Sequence, residues 1–513
     1  MSWNIIHDFT SNAARMVILM CKSRIKGATL PRVLACLLVC LLVCSSMAGC
    51  AGEGDATRNG DGAVQATQQR DAGETASQDT SAAEADADDT TDASSVAASD
   101  WRDGAVQAMP LEAKALMAPD TGKQRASSVA VARGANDFAF RLSASLAEGA
   151  GDGNLVCSPY SVWMPLAALA NATDEQHKAG LMAALSASGI SEADLNAAAS
   201  RMLYDLTRQA NKQYEADYGI AYHDPLKIAN AVFVDNDVSL KQSFAQAFLD
   251  YYRGSAMNVD FSSSEAVDAV NAWASENTDG MISDIIKEFD PLTVAAIANA
   301  IYFSDRWEWE FDASMTREDV FHSPAGDVAA SFMLREGDNQ AYYEDERIQA
   351  MPLRFSTGGC LYILLPKDGD ATGLLASMTS GYFEEIQAGA EYVSGKLLLP
   401  RFSIESEAIE LGDTLTALGV PLFDRDSAPL TGGLIEENTK VWLSSAVHKA
   451  VIKVDEKGTT AAAVTVMIAA GSGMPVPTEP FEMVCDAPFV FVLCGHTYDG
   501  GNQVLFTGIV NQP

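Results

Sequence analysis

Glu456-Lys457-Gly458-Thr459-Thr460-Ala461-Ala462-Ala463-Val464-Thr465 decides how the rest of the chain is read. It follows a strand-like run, Val451-Ile452-Lys453-Val454, and leads into residues 466–482, which show no settled period, ahead of an apolar run over 488–493. A connection of that length without structure of its own is uncommon inside a compact domain and is either functional or disordered. Its opening residues are small or β-branched, which fits a strand buried on both faces. Two readings stand at this point: a flexible surface loop rich in Ala, Gly, Ser and Pro, or a segment that must live as loop and as strand.

The 513 residues are 48% hydrophobic and 20% charged, enough for a substantial core. A net charge of −35 excludes nucleic acid as a partner, because phosphate binding needs clustered Lys and Arg. Residues 51–100 hold twelve acids against two arginines and almost no large apolar side chains, so this stretch reads as a disordered spacer.

Ahead of the spacer, Lys22, Arg24, Lys26 and Arg32 precede an apolar run at 33–43, then Ser45, Ser46 and Met47-Ala48-Gly49-Cys50. A basic flank, a short apolar stretch and small residues before a cleavage point describe a secretory signal, and the run is short for a membrane span. Small residues directly before Cys50 resemble the bacterial lipoprotein box, with Met47 where Leu is more usual. That resemblance implies cleavage before Cys50, a lipid on its thiol, and a protein tethered outside the cytoplasm; an ordinary signal peptide with a chance cysteine is the alternative. Met20 is a candidate true start. The expected organisation is a signal peptide over 1–49, a lipidated cysteine and acidic spacer over 50–129, and one domain over 130–513. Of nine cysteines, Cys157, Cys360, Cys485 and Cys494 fall in that domain. They lack Cys-x-x-Cys or Cys/His spacing, so no zinc site and no disulfide framework is expected.

Helical periodicity begins near Ala135 with Phe138, Leu142 and Leu146 on one face. Next comes Asn154-Leu155-Val156-Cys157-Ser158-Pro159-Tyr160-Ser161, which reads as a helix start with Ser158 as cap and Pro159 in the first turn. Ile228-Ala229-Asn230-Ala231-Val232-Phe233 follows, then Ala295-Ala296-Ile297-Ala298-Asn299-Ala300-Ile301-Tyr302-Phe303, Trp307, Leu399-Pro400-Arg401-Phe402 and Ala446-Val447-His448-Lys449. The chain closes on Pro488-Phe489-Val490-Phe491 and Phe506-Thr507-Gly508.

Taken in order, these pieces resemble the serpin family, and the opening segment resembles that family's hinge. The resemblance covers roughly residues 130–513. It implies an α+β domain with three β-sheets, eight or nine helices and an exposed reactive-centre loop. It also implies an inhibitor of serine endopeptidases working as a suicide substrate: a protease cuts the loop, the acyl-enzyme forms, and the freed strand inserts into the main sheet before hydrolysis can release the protease. Thr459, Ala461, Ala463 and Thr465 would then share the buried face of that strand, beside Glu456 and Gly458. All four are small enough to enter a close-packed interior. Lys457 and Thr460 stand where the family often has acids.

Family spacing places the cut bond at Ser472-Gly473, with Ala470, Gly471 and Met474 as alternatives. Small residues there suit elastase-like or subtilisin-like enzymes, and no basic residue from 459 to 478 suits a trypsin-like one. By motif, Ser158, Ser161, Asn299 and His448 match the polar shutter under the centre of the main sheet. Trp307 matches the breach at its upper end, where Arg401 and Glu456 match a restraining ion pair. The partner implied is a serine protease, with a cysteine protease as the alternative; the protein would be a monomer, reach membrane only through its lipid, and need no cofactor or metal. Against catalysis, Gly471-Ser472-Gly473 lacks the spacing of a nucleophile elbow, and no P-loop, His-Glu-x-x-His or dinucleotide fingerprint occurs. A serpin that no longer inhibits and acts as a surface binding module is the rival reading.

Overall fold

The apolar run at Ala295–Phe303 forms a strand with those same limits, as does Val451–Val454. A computed structural model describes residues 106–107, 122–207, 226–290, 292–459, 480–497 and 501–513. All of these belong to one compact unit, Thr90–Pro513.

In chain order the first elements are β1 (Val106–Gln107), α1 (Gly122–Ala150), β2 (Leu155–Cys157), α2 (Pro159–Leu169), α3 (Glu175–Ala184) and α4 (Glu192–Leu206). Then come β3 (Leu226–Asp235), α5 (Gln242–Tyr252), β4 (Gly254–Val259), α6 (Ser264–Asn277), β5 (Ala295–Phe303), β6 (Arg317–Ser323), β7 (Gly326–Glu344) and β8 (Ile348–Arg354). Next are β9 (Cys360–Pro366), α7 (Ala371–Ala376), α8 (Ser380–Gly389), β10 (Glu391–Pro400), β11 (Phe402–Glu405), β12 (Ile409–Glu410) and α9 (Gly412–Ala417). The last are β13 (Val447–His448), β14 (Val451–Val454), β15 (Phe481–Val484), β16 (Phe489–Thr497) and β17 (Gly501–Val510). The nine α-helices among the described residues agree with the expected eight or nine, and the class is α+β.

Helix starts follow local chemistry. Asp174 accepts from the His177 amide, Ser191 from Asp194 and Ser263 from Glu265, each satisfying a donor that the first turn leaves free. Ser158 departs from expectation. It occupies the cap position of α2, but its hydroxyl makes no capping bond and instead donates to the Leu505 carbonyl at 2.7 Å. α2 is so deeply enclosed that β17 reaches the hydroxyl from the far side. Burial on nearly every face also explains why α2 is apolar all round. α1 starts at Gly122, earlier than its apolar periodicity near Ala135 indicates.

The strands form three sheets. The first has order β1-β4-β3-β5, with β3 parallel to β4 and antiparallel to β5, Asn230 opposite Asn299. The second and third are joined through β7, which pairs β6 and β10 along most of its length and β8 only at Tyr343 and Glu344. β15 extends one side beyond β10, and β9, β16, β17 and β2 continue the other. Two short ladders, β11 with β14 and β12 with β13, complete the chain. The main core packs α1, α2 and α4 against these sheets around Phe138, Trp163 and Leu203. A separate cluster, with Phe233, Trp273 and Ala298, lies under α6. Consequently β5 alternates: Ile301 and Phe303 face the main core, while Ala298 and Ala300 face α6. The described cysteines Cys157, Cys360, Cys485 and Cys494 are buried free thiols; burial pushes Cys360 up to about 11.

Candidate functional site

Beyond β14 the chain turns on Asp455, whose carboxylate accepts from the Lys457 and Gly458 amides at 2.8 and 3.2 Å. Gly458 has φ +150°, and a Cβ there would lie 2.0 Å from the Asp305 carbonyl oxygen, so only glycine fits this close approach. Gly458 bridges Arg306 in antiparallel fashion. The Thr459 amide donates to the Asp305 carbonyl at 2.9 Å, and the Asp305 amide donates to the Thr459 hydroxyl at 3.2 Å. Thr459 is 2% exposed. The first residue of the expected inserting face is therefore already seated beside the residues that follow β5.

The seat is rigid. Asp305 is fully buried, and its carboxylate accepts from the Arg306 amide and the Ser356 hydroxyl, both at 2.8 Å, and from the Thr357 amide and hydroxyl. Trp307 stacks on Phe355 at 4.6 Å, and its indole donates to the Asp455 carbonyl. Its amide donates to the Lys457 carbonyl, as that of Phe311 does to Glu456.

Glu456 is buried and receives the Arg401 guanidinium, whose Nε lies 2.8 and 2.9 Å from the two carboxylate oxygens; the Thr316 hydroxyl donates to it as well. Burial alone would raise the Glu456 carboxyl, yet the bonds from Arg401 and Thr316 prevail and hold it below the usual range. Half of the Arg401 side chain is in solvent, which discounts the pair's contribution.

Ser158, Ser161 and His448 form one buried network. The Ser158 amide donates to His448 Nε2 at 3.0 Å, Ser161 Oγ lies 3.3 Å from Nδ1, and Ser161 donates to the Ser158 carbonyl at 2.8 Å. Because Nε2 accepts a backbone amide, the ring proton sits on Nδ1 and points at Ser161. Burial pushes His448 down to about 4, so the ring is neutral. Asn299 does not join this network. Its Nδ2 donates to Asn230 at 2.7 Å, and its buried Oδ1 has no hydrogen-bond partner. The cause is its place on β5: β3 lies directly alongside, whereas His448 stands across a cleft.

That cleft, of about 240 Å³, is lined by β5 residues 295–300, by α2 from Ser161 to Leu169, and by residues 443–449. Among the described residues no strand pairs the cleft edge of β5. Lys449 bonds Asp284 at 2.6 Å and Glu405 at 2.9 Å, tying the segment after α6 to β11.

Ala461, Ala463, Thr465, Ala470, Gly471, Ser472, Gly473, Met474 and Cys50 lie outside the described residues. Sequence reasoning missed Asp305, Ser356, Thr357 and Thr316, which hold Thr459 and Glu456. They come from three separate stretches and carry no motif, so only the fold brings them together.

A family profile described as Serpin (serine protease inhibitor) matches residues 133–513. The chain is 30% identical to Serpin-Z4 of Hordeum vulgare over 394 residues, 73% of this chain and 94% of that protein. It is 30% identical to Alpha-1-antitrypsin of Meriones unguiculatus over 383 residues, 74% and 89% of the two chains. An uncharacterized serpin-like protein of Thermococcus kodakarensis is 32% identical over 294 residues, 56% of this chain and 66% of that one. Among solved structures, the thermophilic serpin tengpin in its native state aligns with TM-score 0.62 at 25% identity, covering 80% of this chain and 98% of tengpin. Fold and these relatives agree, and the chain belongs to the serpin family of serine protease inhibitors.

Proposed function

We propose that this serpin inhibits serine proteases as a suicide substrate, its cut loop entering the cleft beside β5 as a new strand while the protease is still an acyl-enzyme. The observation that carries this reading is the seated Thr459 at the head of a β5 edge that no strand among the described residues pairs. The bridge of Gly458 to Arg306 fixes a register. Each two-residue advance along the loop meets a residue two earlier in β5, so Ala461 falls opposite Phe303, Ala463 opposite Ile301 and Thr465 opposite Asn299. Facing residues in a ladder share a side. Ala461 and Ala463 would thus enter the close-packed main-core face of β5, where larger side chains would force repacking. Thr465 would bring a hydroxyl donor to the Asn299 oxygen that now lacks one.

Ser472-Gly473 is the bond proposed for attack, and its small residues favour elastase-like or subtilisin-like proteases. The basic and apolar segment before Cys50 supports export and a lipid tether that would hold the inhibitor at a cell surface.

Incubation with a panel of such proteases tests this. The expected product is a protease–serpin complex that survives boiling in detergent, together with a released carboxy-terminal fragment whose mass places the cut within two residues of Ser472. Clean cleavage there by every enzyme, with no complex, would overturn inhibition and leave a binding module.

A further inference from the structure

Residues 307–316 make a loop clasped around the hinge. The Trp307 amide holds the Lys457 carbonyl at 2.8 Å, the Phe311 amide holds Glu456 at 2.9 Å, and the Thr316 hydroxyl bonds the Glu456 carboxylate. Trp307 and Phe311 are buried, but Trp309 between them is 60% exposed and Met315 is 51% exposed. Arg335 stiffens the exposed arc: its guanidinium lies 4.4 Å from the Phe311 ring centroid and donates to the Trp309 carbonyl.

Scattered exposed apolar residues are ordinary. A tryptophan presented on a loop held at both ends differs, because it offers a large contact area at low entropic cost, and tryptophan is enriched among residues that dominate binding energy. Glu308, Glu310 and Asp312 are exposed on the same loop, with Arg335 packed against it and Arg306 and Arg317 just beyond its ends. An apolar knob with an acidic rim fits a partner surface with an apolar pocket in a basic setting. A second copy of this chain is a poor occupant, since each copy carries a net charge of −35.

We propose that the 307–316 loop, with Trp309 at its centre, is a secondary docking site for the target protease, engaging a basic surface beside that enzyme's active site. The proposal rests on the inhibitory reading above. The clasp holds Glu456 and Lys457, so a protease bound at Ser472 is tethered to it through about fifteen residues of chain, a span that sets the effective concentration at Trp309. The acidic rim would speed encounter with a basic enzyme and make its rate salt-dependent.

The test is the second-order rate of covalent complex formation, using full-length protein and two elastase-class serine proteases, one of high and one of low isoelectric point. Wild type should react faster with the basic enzyme, and added salt should narrow the gap. Trp309→Ala should slow the basic enzyme about tenfold while stoichiometry and cut position stay unchanged. Glu308→Gln combined with Glu310→Gln should weaken the salt dependence, the remainder coming from the net charge of −35. Trp309→Phe keeps an apolar ring and should retain the rate to within about threefold, which separates docking from folding. A rate within about twofold of wild type in Trp309→Ala would overturn this proposal alone. So would a rate loss that tracks the unfolding midpoint across both variants. No covalent complex with wild type would overturn the inhibitory reading and this proposal with it.

Discussion

Thr459→Arg should convert the inhibitor into a substrate. Thr459 is 2% exposed, and its hydroxyl is the acceptor for the Asp305 amide. Arginine removes that acceptor and is too large and charged for the seat, so the uncleaved variant leaves the seat open and must bury the guanidinium only as the strand enters. The neighbouring Asp305 carboxylate can do little for it, since Arg306, Ser356 and Thr357 already fill its acceptor sites. An uncompensated buried charge costs several kcal/mol; if about 3 kcal/mol of that appears in the insertion barrier, insertion slows roughly 150-fold. Hydrolysis of the acyl bond is untouched, because the substitution lies far along the chain from Ser472. Hydrolysis would therefore win the race, and most encounters would end in cleaved serpin and free protease. The assay titrates a fixed amount of protease with variant and wild type, measures residual activity, and weighs the released fragment. The expected result is a steep rise in stoichiometry with an identical fragment mass. Unchanged stoichiometry, with the variant folded, would refute insertion at Thr459.

Two further outcomes follow from the site. His448 is held neutral, near pH 4 in the fold against about 6.5 when unfolded. Its contribution is complete above pH 6.5 and is lost as pH falls towards 4, about 3 kcal/mol in all. Urea midpoints of wild type and His448→Asn should thus converge as pH falls from 7 to 4; parallel curves would contradict a neutral buried ring. Gly458→Ala would place a methyl against the Asp305 carbonyl at a positive φ, unseating Thr459 at a cost above about 1 kcal/mol. Faster exchange of the Thr459 amide and a higher inhibitory stoichiometry are expected, and protection equal to wild type would count against the seat.

Much of the framework is legible in local sequence because its strands are continuous apolar runs: Ala295–Phe303 and Val451–Val454 have the limits their composition indicates. Of the expected inserting face only Thr459 lies among the described residues, where its amide donates to the Asp305 carbonyl. What sequence withholds is which groups answer one another across the fold. Ser158 reads as a cap, yet β17 takes its hydroxyl. Asn299 reads as a partner of His448, yet β3 brings Asn230 closer. Asp305 gives no local sign that its backbone receives Thr459.

Hydrogen exchange along β5, residues 295–303, tests most directly whether one segment serves as loop and then as strand. Uncleaved protein should show faster exchange at the amides facing the cleft than at those paired with β3. After loop cleavage, or within the protease complex, the cleft-facing amides should become protected to the level of the β3 side. Cleavage that leaves their exchange unchanged would contradict insertion.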